Sequence, residues 1–184
     1  MLAVFVVAVA ASVWFVVWFT KRAYAAYAQA WAPLLAQVNG TAKGATLSGT
    51  YQGHPVRAAI KTISGEGSSS YEYYLHMTVG SSGKGWTVCY GGEKLLGTGP
   101  KSWHVQTKDE ALKQHLLSSG IVERLQNWGG YPDISYKNGV LAYHLTVGDM
   151  FDVPTPEQFA AQLELLAHLA QLTQPARLPE LSAS

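Results

Sequence analysis

One unbroken apolar run constrains this chain more than any other feature. From Leu2 to Phe19 every residue except Ser12 is apolar, and no charged side chain precedes Lys21. At about 1.5 Å per residue, the run makes ~27 Å of helix, close to the roughly 30 Å of a bilayer's hydrocarbon core. Lys21 and Arg22 follow at once, where long cationic side chains reach the headgroups. Trp14, Trp18 and Phe19 lie just inside that end, as an interfacial aromatic belt does. Two other readings fit less well. A secretory signal has a basic segment before a shorter apolar stretch and a cleavage site after it, and here the basic residues come second. A buried core helix keeps a polar stripe, and five turns here have none. The expectation is a retained single-pass anchor over residues 1–20.

The same charges orient the anchor. Residues 21–65 carry Lys21, Arg22, Lys43, Arg57 and Lys61 and no acid. By the positive-inside rule the part after the span faces the cytoplasm, at the plasma or inner cell membrane. The single cysteine, Cys89, excludes an intrachain disulfide framework and multi-cysteine metal sites. A formal charge of +1 argues against a nucleic-acid binder.

Residues 21–40 continue the anchor as a helix. Tyr24, Tyr27 and Trp31 recur on one face, Pro33 is a place for a bend, and Asn39-Gly40 stops the helix. This stripe can pack against the chain's own domain, against headgroups or against a partner.

From residue 41 to 174 the pattern is that of an α+β domain, an antiparallel sheet with helices on one face. Leu47, Gly49 and Tyr51, a turn at Gln52-Gly53, then Val56, Ala58 and Ile60 read as a hairpin. After a Gly/Ser-rich connection over 64–70, alternation from Tyr71 to Val79 leads through Ser81-Ser-Gly-Lys-Gly85 to Trp86, Val88 and Tyr90. That reads as a second hairpin. Trp103 to Gln106 suits one more short strand. Thr107 and Glu110 have capping-box spacing for a helix, and a second short helix spans 121–128. Asn138-Gly139, flanked by alternating residues, specifies a third hairpin. Thr155, Pro156 and Gln158 then begin an amphipathic helix, and residues 175–184 form a flexible tail.

Patterns that carry chemistry are few. The six histidines include no HxxxH or HExxH spacing; His76 and His144 fall on strands and can meet across a sheet. Cys89 lacks a neighbouring base in sequence. Gly92 to Gly99 resembles a phosphate loop but continues Thr98-Gly99-Pro100, not Gly-Lys-Ser/Thr. Asp149 and Asp152 sit where a helix N-terminus favours acids without any catalytic role. No motif is specific enough to assign a catalytic residue, a cofactor or a metal.

Partner contacts are better marked. Ala8 and Ser12 form a small-xxx-small pair, which lets another membrane helix approach. With Trp14, Trp18, Lys21, Arg22, Tyr24, Tyr27 and Trp31 they form the candidate membrane and partner contact set. The expected function is a non-enzymatic accessory or assembly subunit of a larger membrane complex, its partners being the lipid bilayer and other integral membrane subunits. The alternative is a membrane-tethered ligand- or peptide-binding module, with Tyr51, Tyr71, Tyr73, Trp86 and Tyr90 lining a pocket. An enzyme built on His76, His144 or the Asp149/Asp152 pair ranks last. Charge supports the presence of neighbours. All 13 Lys and Arg and 12 Asp and Glu lie in the 164 residues after Thr20, about 15%, against roughly 25% in a typical soluble domain.

Overall fold

The computed structural model describes residues 2–65, 68–80, 83–91, 101–128 and 130–173, the side chains of 2–10, 65 and 68–69 excepted. The phosphate-loop lookalike at 92–99 and the expected tail at 175–184 therefore lie outside the described residues. Helix α1 spans Leu2–Leu35 and tightens into a 3-10 turn at Ala36–Val38. Asn39 then adopts the left-handed conformation, φ 45°, and ends the helix where Asn39-Gly40 is expected to.

Among the described residues eight strands and three helices follow: β1 Thr41–Lys43, β2 Thr46–Tyr51, β3 His54–Gly65, β4 Ser68–Thr78, β5 Trp86–Gly91, β6 Ser102–Thr107, α2 Glu110–Ser118, α3 Ile121–Gln126, β7 Asp133–Lys137, β8 Val140–Val147 and α4 Pro156–Thr173. They form one antiparallel sheet in the order β1-β2-β3-β4-β8-β7-β5-β6. The chain is thus α+β, as its pattern indicates.

Two of the three expected hairpins form. Gln52-Gly53 and Asn138-Gly139 both take positive φ at each residue, 48° and 82°, then 52° and 79°, the backbone a two-residue hairpin turn requires. The hairpin expected between β4 and β5 does not. β4 pairs with β8 from Tyr71↔Val147 to Thr78↔Val140, and β5 pairs with β6 and β7. The β7–β8 hairpin slots between them, and Val79 N–H donates to Gly139 O at 2.7 Å. The Gly/Ser segment expected to be a connection at 64–70 is instead strand almost throughout: β3 and β4 pair out to Gly65↔Ser68.

Alternation sends one set of side chains to the helices. Leu47, Val56, Ala58, Tyr73, Leu75, Met77, Tyr136, Leu141, Tyr143, Trp86 and Val88 are buried on that face with Phe159, Leu163, Leu166 and Leu169 of α4. Trp31 and Leu34 from the end of α1 and Val38 from the 3-10 turn are fully buried in the same core. Entry of α1 depends on a close backbone approach: a Cβ at Gly49 would meet the Val38 carbonyl oxygen and lie 2.9 Å from Gly40 Cα. Only glycine fits there.

The capping box expected at Thr107 moves. Thr107 is still paired in β6, opposite Trp86, and α2 begins at Glu110 with Asp109 as its cap, accepting from Leu112 N–H at 3.1 Å. At α4 the box forms as expected: Gln158 N–H donates to Thr155 Oγ1 at 3.3 Å, and Thr155 N–H donates to Gln158 Oε1 at 2.9 Å. Thr155→Ala removes an acceptor from this terminus and is expected to cost about 1 kcal/mol, measured as a lower urea midpoint at unchanged slope.

Candidate functional site

The exposed stretch of α1 is the first candidate. Residues 11–20 are exposed on every side, with Trp14 67%, Phe15 58% and Phe19 58% accessible. Successive aromatic rings contact along the rod, Trp14 with Trp18 at 6.5 Å and Phe15 with Phe19 at 6.4 Å between centroids. The Arg22 guanidinium lies 5.3 Å from the Trp18 ring, so it reaches back along the apolar segment. Monomeric soluble proteins rarely expose a continuous apolar surface of this kind. Among the described residues, no helix is long and apolar enough to cross a membrane. Side chains of α1 are described only from residue 11, and the rest of the apolar run, with Ala8, lies outside them. Ser12, Trp14, Trp18, Lys21 and Arg22 all fall on the projecting, exposed part.

The aromatic stripe that follows is taken by the domain. Trp31 is fully buried, and the Tyr27 ring packs 4.9 Å from that of Phe151. Tyr24 is 56% exposed and lies over Gly44, where a Cβ would sit 2.7 Å from its ring. Burial raises the Tyr27 pKa, with Tyr71 and Asp149 acting in the same direction. Helix α1 is therefore continuous, exposed over residues 11–20 and set in the core at Trp31 and Leu34.

A cavity of about 520 Å³ is the second candidate. It lies between the end of β8, the start of α4 and Trp128, with Tyr73, Tyr143, Leu145, Val153, Ala161 and Gln162 among its lining. At its inner end Tyr73 Oη donates to the buried Gln162 Oε1 at 3.0 Å. Burial, with Tyr143 beside it, holds the Tyr73 pKa well above its ordinary value. Burial likewise pushes Tyr143 up to about 12, against an opposing hydrogen bond with Gln162. Both hydroxyls stay protonated at neutral pH. Of the five aromatic residues expected to line a pocket, only Tyr73 borders this one. Trp86 is buried in the core, and Tyr90 stacks on Tyr131 at 4.0 Å. Asp149 and Asp152 accept backbone N–H groups from Phe151 and Gly148, at 3.0 and 3.3 Å, which ties down the loop before α4. Thr155, not either aspartate, caps the helix.

The third candidate lies on the sheet's opposite face, where His76 and His144 do meet. Tyr74 pairs with His144 across β4 and β8, and His76 sits one step diagonal, its ring 5.7 Å from His144. Tyr74 packs edge-on to both rings, donates its hydroxyl proton to Glu72, and has Lys61 Nζ 4.5 Å from its ring centre. That hydrogen bond, more than burial, pushes the Tyr74 pKa up to about 12. The carboxylate that the sequence does not place in register is Asp133, opposite His144 on β7. Even so, among the described residues no three His, Cys, Asp or Glu side chains are placed to hold a metal ion.

Burial lowers the pKa of both histidines. His144, Lys61 and Arg57 lower His76 further, whereas Glu72 and Asp133 act against burial at His144. A depressed folded-state pKa means the unfolded chain takes up protons first as pH falls. Stability attributable to the pair is thus complete above about 6.5, the unfolded value, and is lost as pH drops through the folded values. Melting temperature is expected to fall between pH 7 and 5, with a shallower slope in the His76→Gln/His144→Gln variant. An equal slope in both proteins would contradict the assignment.

No family model, curated protein or solved structure matches this chain, so its functional reading rests on the geometry above.

Proposed function

We propose that the chain is a non-enzymatic, single-pass membrane-anchored accessory or assembly subunit of a larger membrane complex. The observation that carries this is the double character of α1. Residues 11–20 are apolar and exposed all round, whereas Trp31 and Leu34 of the same helix are fully buried in the domain. Residues 2–10 extend both the helix and the apolar run, completing the length a bilayer requires. A rod built in this way transmits a fixed position from the bilayer to the domain, which suits a part that holds other subunits in place. The run has no His or carboxylate with which to ligate a cofactor or pass protons. The excess of Lys and Arg that follows the run supports a domain on the cytoplasmic side of the cell membrane.

Native electrophoresis of membranes solubilised in mild detergent tests the reading. Migration in an assembly well above 20 kDa, with other integral membrane proteins co-purifying, is expected; migration only as the free chain contradicts it.

The cavity favours a second reading, a membrane-tethered ligand-binding module. Its 520 Å³ falls within the usual range for small-molecule sites, and apolar walls surround a few fixed polar groups. Mass spectrometry of molecules released when the natively purified protein is denatured decides it. A stoichiometric small molecule absent from an Ala161→Trp variant supports this reading, and none in either protein removes it.

A further inference from the structure

The contacts of α1 fix which end of the domain faces the anchor. Val38 touches β2 at Gly49, while Tyr24 touches the β1–β2 turn at Gly44. Moving along α1 toward its N-terminus therefore runs the same way as moving from Gly49 back to Gly44. Antiparallel pairing then makes β3, from Val56 to Gly65, advance toward the anchor, and makes β8 do the same from Val140 to Val147. Contact of Tyr27 with Phe151, in the loop after β8, agrees independently. Three pieces converge at this end: the β1–β2 turn, the far end of the β3–β4 hairpin and the loop 148–153. The Gln52-Gly53 and Asn138-Gly139 turns lie at the other.

Heights along the molecule follow from the repeat distances. Tyr27 is eight residues beyond Phe19, about 12 Å of helix, and the headgroup layer is roughly 5–8 Å deep on each side of the hydrocarbon. Tyr71 pairs with Val147 at the foot of the loop that carries Phe151 to Tyr27, and the hairpin stays paired three residues further, to Gly65↔Ser68. Three residues of strand add about 10 Å toward the bilayer. That lowers the hairpin's end into the headgroup layer.

The side chains just above that end suit a membrane surface. Ile63 is 40% exposed and Phe151 38%, although each belongs to a type that the core would take. Lys43 and Lys61 are exposed at the same end, adding to Lys21 and Arg22. The acids of this end are engaged within the domain: Asp149 and Asp152 accept backbone N–H groups in their own loop, and Glu72, opposite Lys61, accepts the Tyr74 hydroxyl.

Building on the anchor reading above, we propose that this end is a second membrane-contacting surface. Ile63 and Phe151 rest against the outer surface of the headgroups of a bilayer containing anionic lipid, and with α1 they hold the domain in one orientation. Depth-dependent fluorescence quenching tests it. In a Cys89→Ser background, single cysteines at Val13, Ile63, Phe151 and Gln52 each carry an environment-sensitive dye. Each protein is reconstituted in 3:1 phosphatidylcholine/phosphatidylglycerol vesicles with nitroxide on either the headgroups or the acyl chains. The expected result is quenching at 63 and 151 by the headgroup nitroxide at least threefold stronger than at 52, and quenching at 13 by the acyl nitroxide. Quenching at 13 with 63 and 151 no stronger than 52 overturns the proposal and leaves the anchor standing. No quenching at 13 removes the anchor reading, and the proposal with it.

Discussion

Replacing Trp31 with alanine is expected to destabilise the domain by about 3–5 kcal/mol, among the largest effects of any single substitution in the chain. Trp31 is fully buried between α1 and the sheet, so truncation leaves an indole-sized void at the point where α1 enters the core. Trp31→Phe should lose far less. The indole Nε1 is buried with no hydrogen-bond partner, so phenylalanine gives up volume but no hydrogen bond, and it removes an unsatisfied donor. Urea unfolding of the three proteins followed by circular dichroism checks both. A loss in Trp31→Ala below about 1 kcal/mol would mean that α1 is not part of the core.

The second large effect concerns the projecting part of the same helix. Ala11 lies near the middle of the apolar run and is exposed. An aspartate at the centre of a spanning helix costs about 2.5–3.5 kcal/mol on insertion scales, so Ala11→Asp together with Val13→Asp costs roughly 5–7 kcal/mol. Insertion into microsomal membranes is expected to fall from nearly complete to a minor fraction, and Val13→Leu to leave it unchanged. The urea midpoint of the domain should stay within error in all these variants, because residues 11–20 contact nothing in the core. If the charges lowered the urea midpoint and left insertion intact, the helix would be serving the domain and not the bilayer.

The two substitutions probe opposite ends of one helix, and the sequence reveals those ends unequally. Its apolar run is legible because eighteen uncharged residues need no structural context. Burial of Trp31 is not, because Tyr24, Tyr27 and Trp31 share the same spacing and only tertiary contact separates the exposed Tyr24 from the buried Trp31.

The same distinction runs through the sheet. Asn138-Gly139 and the Thr155/Gln158 box are local chemistry, and both form where they are expected. Strand neighbours are not local. Alternation in β4 shows which side chains face the helices, yet it is equally compatible with β5 or β8 beside it, and β8 takes the place. The short edge strand β1 has too few residues to show any period and goes unread. Thr107 has cap chemistry, but pairing with Trp86 holds it in β6, and Asp109 caps the helix in its stead.

Of the candidate sites, the His76/His144 meeting is visible in part, since both residues fall on strands, but Asp133 reaches His144 only through the β7–β8 register. The cavity has no sequence signature because its walls come from four separate segments. Which end of the sheet lies toward the N-terminus of α1 follows from strand direction relative to that helix, which no local pattern contains.

Alkaline carbonate extraction tests the central claim most directly, because it strips peripheral proteins and leaves those that span the bilayer. The full chain is expected to stay in the membrane pellet, and a chain lacking residues 2–20 to appear folded in the supernatant. Recovery of the full chain in the supernatant would contradict the account.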